Sequence, residues 1–363
     1  LYPSSKDSKT REILFIRRSD EHTKIWEGDK LSKDLASKLS GIESIHFVED
    51  FKNILHLITS KVDTFYINKN EHYRANSPVE TREDRFISWL LKKYPAHKVA
   101  KSNPILQRLR SIKHIDEIDQ IRKACQITKK GFNRVLKFIK PDVWEYQIEA
   151  EFIHEFINNS SKGFAYSPII ASGQDNNVLH YVKNNKQCKD GELILMDVGA
   201  EYGNYSSDMT RTIPVSGHFS KRQKEIYNTV LRVKNEATKL LTVGNNWKNF
   251  HDQVGEIMTK ELLDINLLDK ADIKNQTKKN PAYKKYFMHG TSHHLGLDTH
   301  DYGLLDDLFQ ENMVFTVEPG IYIPEEGFGV RLEDDVVIQT KGEPINLMED
   351  IPIETDHIEE LMN

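Results

Sequence analysis

The chain has 363 residues, 38% of them apolar and 29% charged, with 50 Lys and Arg against 55 Asp and Glu for a net charge of −5. That length suits about two domains with a substantial packed core, and the mixture excludes collagen-like, low-complexity and disulfide-miniprotein classes. No apolar run approaches the roughly 18 to 20 residues of a membrane span, and the mildly acidic balance, without a basic stripe, excludes a nucleic-acid footprint.

Two cysteines, Cys125 and Cys188, make neither a CxxC pair nor a disulfide framework. They place the chain in a reducing compartment, the cytoplasm, although a leader upstream of Leu1 stays open because the sequence does not begin with Met. Lys278, Lys279, Lys284 and Lys285 read as a solvated loop.

Residues 1–111 read as a small α/β unit. Ile13–Ile16, Ile45–Val48 and Thr64–Ile67 have the apolar, β-branched look of short buried strands. Helical patterns near 31–39, 51–59 and 82–93 alternate with them. Asn103-Pro104 and the basic stretch to Lys113 read as a linker.

The pattern then changes. Ile118, Ile121, Cys125, Phe132, Val135, Leu136 and Ile139 fall at helical spacing over 117–139, and Pro141 stops that helix. Asp142 is placed to cap the next helix, with Glu145 completing a capping box and Ile148, Phe152 and Phe156 forming the stripe. Strand-like segments follow over 166–213. Ser220 and Gln223 form a second capping box, Asn246 opens a further helix, and strand-like segments return over 285–338. Two successive units of two helices and antiparallel strands predict an α+β domain over 112–363. The charged stretch 264–285 reads as a surface loop.

No G-x-S-x-G elbow or Walker A occurs, and His154-Glu155 lacks the second histidine of a zincin. The chemistry lies in acids set within strands. Leu193–Val198 is apolar except for Asp197, and a lone ionised Asp in such a run is costly to bury. A hairpin turn on Tyr202-Gly203 places Asp197 directly opposite Asp208, with Cβ atoms roughly 5 Å apart. Met313–Glu318 is likewise apolar up to its acid. A turn on Glu325-Glu326 sets Glu318 opposite Glu333, with Pro319-Gly320 a candidate bulge that shifts this register. Four carboxylates repel one another unless cations lie between them, and two divalent ions about 3.5 to 4 Å apart balance the charge. A nitrogen ligand is then expected from the run His289–Gly296, and oxygen-rich ligation with one imidazole suits Mn, Co or Zn.

Taken together, these runs resemble the pita-bread metallopeptidases, the family of aminopeptidase P, prolidase and methionine aminopeptidase. The resemblance covers about residue 112 to the end. It rests on Leu179-His180-Tyr181, Met196–Ala200, Ser207–Thr212, Met288–His293, Gly296–Asp301, Thr316–Tyr322 and Val330–Asp335. The run around His180 and the closing Pro352–Thr355 look most like aminopeptidase P.

The resemblance implies a pita-bread catalytic domain behind a smaller creatinase-like N-terminal domain, short for the family. It implies two divalent ions, manganese first, with Asp197 on one, His293 and Glu318 on the other, and Asp208 and Glu333 bridging. His180, His289 and His300 match outer histidines near the scissile bond, Arg331 an arginine bonded to the carboxylates, and Glu318 a proton shuttle. His294 reads as a neighbour of the ligand and not a ligand. The implied reaction is attack of a metal-bridging hydroxide on an Xaa-Pro bond, releasing the N-terminal residue of peptides with proline second. The implied partners are those peptides and further copies of the chain, as a homodimer or homotetramer. Prolidase activity on Xaa-Pro dipeptides, a silent binding module on the same fold and a metal-free creatinase-like hydrolase are the competing readings.

Overall fold

The computed structural model describes residues 1–69, 78–303 and 306–363. Its contacts divide the chain into two compact units, Leu1–Asn103 and Pro104–Asn363.

The first unit alternates strand and helix: β1 (Ile13–Ile16), α1 (Glu21–Glu27), α2 (Lys33–Ser40), β2 (Ser44–Phe47), α3 (Phe51–Thr59), β3 (Thr64–Ile67), α4 (Arg82–Lys93) and β4 (Lys98–Lys101). β1 pairs with β2 and β3 with β4, both in parallel, as helical crossovers require. Local capping sets the helix starts: Asp20 caps α1, Ser32 caps α2, and Thr81 with Asp84 forms a box at α4. The strands are mostly half-buried, with only Ile45 buried among them, so the expectation of buried strands was too strong. A sheet of two strands does not cover both faces. Phe15 on Phe51 and Trp89 on Tyr94 supply aromatic packing.

The second unit begins with α5 (Asn103–Ser111), a helix where the sequence suggested a linker. Its residues from Pro104 on belong with the larger unit, not with the smaller one. α6 (Ile115–Phe138) and α7 (Glu145–Asn158) follow as expected. The cap of α7 differs from the expectation. Asp142 takes a left-handed conformation, φ 74°, and Trp144 is the N-cap, its N–H bonded by Gln147 Oε1 at 2.9 Å. Next come β5 (Ile169–Ser172), β6 (Leu193–Val198), β7 (Glu201–Tyr202), β8 (Tyr205–Ser206) and β9 (Met209–Pro214). α8 (Lys221–Leu240) starts at the Ser220–Gln223 box and α9 (Trp247–Asp264) at Asn246.

The stretch after α9 is more ordered than a loop. It contains the helix α10 (Lys270–Asn275), capped by Asp269, and Leu268 is buried. The chain closes with β10 (Val314–Val317), β11 (Gly320–Ile323), β12 (Phe328–Arg331), β13 (Asp334–Val337), β14 (Ile345–Asn346) and α11 (Thr355–Met362). The order of two helices then strands thus recurs, with α6 and α7 before β5–β9 and α8 and α9 before β10–β13. One apolar core joins both halves, running through Cys125, Phe132, Phe152, Met196, Tyr227, Phe250, Phe315 and Val330. Lys278, Lys279, Lys284 and Lys285 are exposed, as is His154 on α7, whereas Glu155 beside it is half-buried and pairs with Arg134.

Candidate metal centre

The first pair of acids arrives on β6 and just before β9. The turn between β7 and β8 lies at Gly203-Asn204, whose φ values are 60° and 69°. A two-residue hairpin of this hand needs positive φ at both positions, which glycine and asparagine tolerate and Tyr202 would resist. The turn is therefore one residue later than the sequence suggested. Asp197 pairs with Thr210, not with Asp208. A slip of two positions leaves every side chain on its original face, so Asp208 becomes a diagonal neighbour of Asp197. The two still converge: the Tyr166 hydroxyl donates to Oδ1 of Asp197 at 2.7 Å and to Oδ1 of Asp208 at 2.5 Å.

The second pair follows the expected register. β11 and β12 pair Gly320 with Arg331, and β10 and β13 pair Val317 with Asp334. These ladders share one register, which sets Glu318 against Glu333, and Pro319-Gly320 does not shift it. The acids sit where the two ladders part. The Glu318 N–H donates to the Thr291 carbonyl at 2.8 Å and the Glu333 N–H to the Thr210 carbonyl at 3.0 Å.

Asp208, His293 and Glu333 each offer a ligand atom, and these atoms lie within 4.8 Å of one another. His293 Nε2 is 3.4 Å from Asp208 Oδ2 and 3.8 Å from Glu318 Oε1. Its Nδ1 meets the His294 carbonyl at 2.9 Å. With Nδ1–H donated there, Nε2 is the nitrogen turned toward the acids and the one that would take a metal in place of a proton. Arg331 binds the cluster from the side. It donates to Asp197 Oδ2 at 2.6 Å, to Tyr322 Oη at 2.9 Å and to Thr210 Oγ1 at 3.3 Å. Thr210 in turn donates to Glu333 Oε2 at 2.7 Å. Asp335 supports from behind, its Oδ2 accepting from the Asp208 N–H at 3.0 Å and from Cys125 Sγ at 3.4 Å.

The electrostatics identify what the cluster demands. Burial pushes Glu333 well above the ordinary carboxylate range, and the charges of Asp208 and Glu318 push it the same way. Burial lifts Glu318 to about 7 against the pull of His293 and Arg331. Burial also raises Asp208, with His293 opposing and Asp197 reinforcing. Burial works against a charge on His293, but its bond to Asp208 and the charges of Glu318 and Asp208 outweigh that and raise it to about 9. Acids driven toward protonation beside an imidazole driven toward imidazolium call for positive charge between them. Two carboxylates and one imidazole that converge in this way, Asp208, Glu333 and His293, are donors that suit a divalent cation.

Two of the outer histidines, His300 and His289, lie beside this centre. The His300 ring lies 4.3 Å from that of His293. His289 Nε2 is 2.8 Å from Tyr322 Oη and its Nδ1 is 2.7 Å from the Gly290 carbonyl. Burial and the Arg331 charge hold it neutral, near 3. His294 packs its ring on Trp247 and Phe315. The loop carrying His300 is fixed by a buried ion pair, Lys113 Nζ to Asp301 Oδ2 at 3.2 Å, with Arg110 binding Asp298 and Asp301. Tyr166, Thr210, Tyr322 and Asp335 were not singled out from the sequence. The last three lie within the motif runs, whereas nothing in the sequence marks Tyr166.

The model for metallopeptidase family M24 matches residues 119–340, and that for the aminopeptidase P N-terminal domain matches residues 1–66. The chain belongs to metallopeptidase family M24. It is 33% identical to the Xaa-Pro aminopeptidase of Haemophilus influenzae over 97% of this chain and 82% of the relative. It superposes on proline aminopeptidase P II from Yersinia pestis with a TM-score of 0.86 at 31% identity, covering 96% of this chain and 82% of the other. A zinc-substituted Escherichia coli aminopeptidase P in complex with product gives 0.85 at 31% identity, covering 96% and 81%. The catalytic unit is thus a pita-bread metallopeptidase domain, preceded by an N-terminal domain of the aminopeptidase P type, and the chain is a metal-dependent aminopeptidase. Among the described residues, no helix is long and apolar enough to cross a membrane.

Proposed function

We propose that this protein releases the N-terminal residue preceding proline and works with two divalent ions, manganese first among Mn, Co and Zn. The convergence of Asp208, His293 and Glu333 within 4.8 Å, with Asp197 tied to Asp208 through Tyr166 and Glu318 beside His293, carries this reading. Asp197 would hold one ion, His293 and Glu318 the other, and Asp208 and Glu333 both. When bound, such a pair supplies Lewis acidity and brings the pKa of water toward roughly 7.

The chain's own groups do the rest. Glu318, lifted to about 7, is matched to accept and return a proton near neutrality. His300, whose ring lies against that of His293, and His180 are both exposed, and they would donate toward the carbonyl oxygen as charge develops or hand a proton to the leaving nitrogen. Neutral His289 accepts from Tyr322 and so orients the hydroxyl that Arg331 also grips. A bond to proline has no N–H, and none of the residue roles named above calls for an amide donor from the substrate, so the site suits that bond.

Elemental analysis combined with hydrolysis of Xaa-Pro-Xaa tripeptides and Xaa-Pro dipeptides tests the reading. Two divalent ions per chain and preferred cleavage of the tripeptide are expected. Faster dipeptide cleavage would make it a prolidase, and two ions with no hydrolysis would make it a binding module.

A further inference from the structure

The stretch from Val178 to Gln187 has no helix or strand of its own, apart from a single bridge between Gln187 and Trp144. It nevertheless carries His180, the residue to which the proposed function gives a role in catalysis. A loop that presents a side chain for chemistry needs a rigid attachment, and here the attachment is a buried acid. Glu145, in the first turn of α7, has no exposed surface. Its Oε1 accepts from the Ser172 N–H at 2.8 Å and the Ser172 hydroxyl at 2.7 Å. Its Oε2 accepts from the Tyr181 hydroxyl and the Lys186 N–H, both at 2.9 Å. All four donors are neutral groups.

Burying a carboxylate is costly unless its lone pairs are met, and this one is met by the end of β5 and by two points on the loop. The helix N-terminus favours it further. A fully satisfied buried polar network fixes one geometry more strictly than an apolar contact would. Asn184 adds a second attachment: it accepts from the Ile170 N–H at 3.0 Å and donates to the Pro168 carbonyl at 3.0 Å and to Glu149 Oε2 at 2.9 Å. Tyr181 is the first of these points along the loop, buried and adjacent to exposed His180.

We propose that Glu145 is a positioning residue that acts through Tyr181 to aim His180 at the reacting peptide. The inference rests on the role given to His180 in the proposed function. The test is a double-mutant cycle on tripeptide hydrolysis, with bound metal measured for every variant. Tyr181→Phe is expected to lower kcat about tenfold while KM and the metal count hold. In a His180→Ala background the same substitution should cost nothing further. Glu145→Gln turns an acceptor into a donor facing donors and should cost about a hundredfold; if that variant fails to fold, the Tyr181→Phe cycle still decides. Equal losses from Tyr181→Phe in both backgrounds, or no loss in the wild type, would overturn the proposal. If His180→Ala alone turns over like the wild type, the role of His180 fails and the positioning role with it, whereas the two-ion reading, judged by the metal count, stands.

Discussion

The two hairpins that supply the acids reach the same end by different means. In the first, the ladder between β6 and β9 runs unbroken past Asp197, which pairs with Thr210, and the pleat alone brings Asp208 to the same face. In the second, the ladders stop at the acids, and the freed N–H groups of Glu318 and Glu333 bond to Thr291 and Thr210 instead. The first hairpin depends on face and tolerates a two-residue slip. The second depends on register and on where pairing ends. Thr210 joins them: its carbonyl takes the Glu333 N–H, its hydroxyl binds the Glu333 carboxylate, and it faces Asp197 across the ladder.

Removing one acid from each hairpin gives the largest effects. Asp208→Ala and Glu333→Ala should each lower turnover by about a thousandfold or more and reduce bound metal, measured by elemental analysis. Full activity with two ions in either variant would break the equivalence of the hairpins. His300→Ala touches neither hairpin; it should fold, keep its metal and turn over about a hundredfold more slowly, and an unchanged rate would remove His300 from the mechanism. The cross-links come next. Tyr166→Phe should weaken metal affinity or activity by about ten- to a hundredfold and Thr210→Val by about tenfold. A Thr210→Val effect as small as that of a surface substitution would show that the hairpins act independently.

The smallest effect is on stability of the metal-free protein. Folded Glu318 binds its proton at about 7, against an ordinary value of 4.5. Its contribution is therefore complete below pH 4.5 and is lost as pH rises through about 7. His293, raised from 6.5 to about 9, loses its contribution over the next interval, in the same direction. The melting temperature of the metal-free protein should fall from pH 5 to pH 9, and Glu318→Gln should flatten the lower half of that decline. A rising curve with no change in the variant would contradict the electrostatic description.

Much of this site was legible before the structure, for reasons specific to each element. Acids inside apolar strands stand out because their burial needs an explanation, so Asp197 and Glu318 mark themselves. The register of the second hairpin was readable because Gly327, φ 75°, closes a turn of ordinary type. The first was misplaced because Tyr202-Gly203 looks as turn-like as Gly203-Asn204 unless the need for two positive φ values is applied. The cap at α7 was misread because Asp142 resembles a cap in composition, while Glu145, expected to complete a box, is buried and binds the His180 loop. Tyr166 carries no periodic or motif signal, since its role comes from a contact with two strands distant in sequence. α10 was hidden by its charged composition, which hides the cap at Asp269.

Titration of the metal-free protein with Mn2+, followed by heat, proton release and turnover together, tests most directly whether these acids are held together for paired cations. Two equivalents should bind per chain, protons should be released as the raised carboxylates and His293 give them up, and activity should appear only as binding proceeds. Full turnover without stoichiometric metal, or addition of Mn2+ with neither binding nor proton release, would contradict that reading.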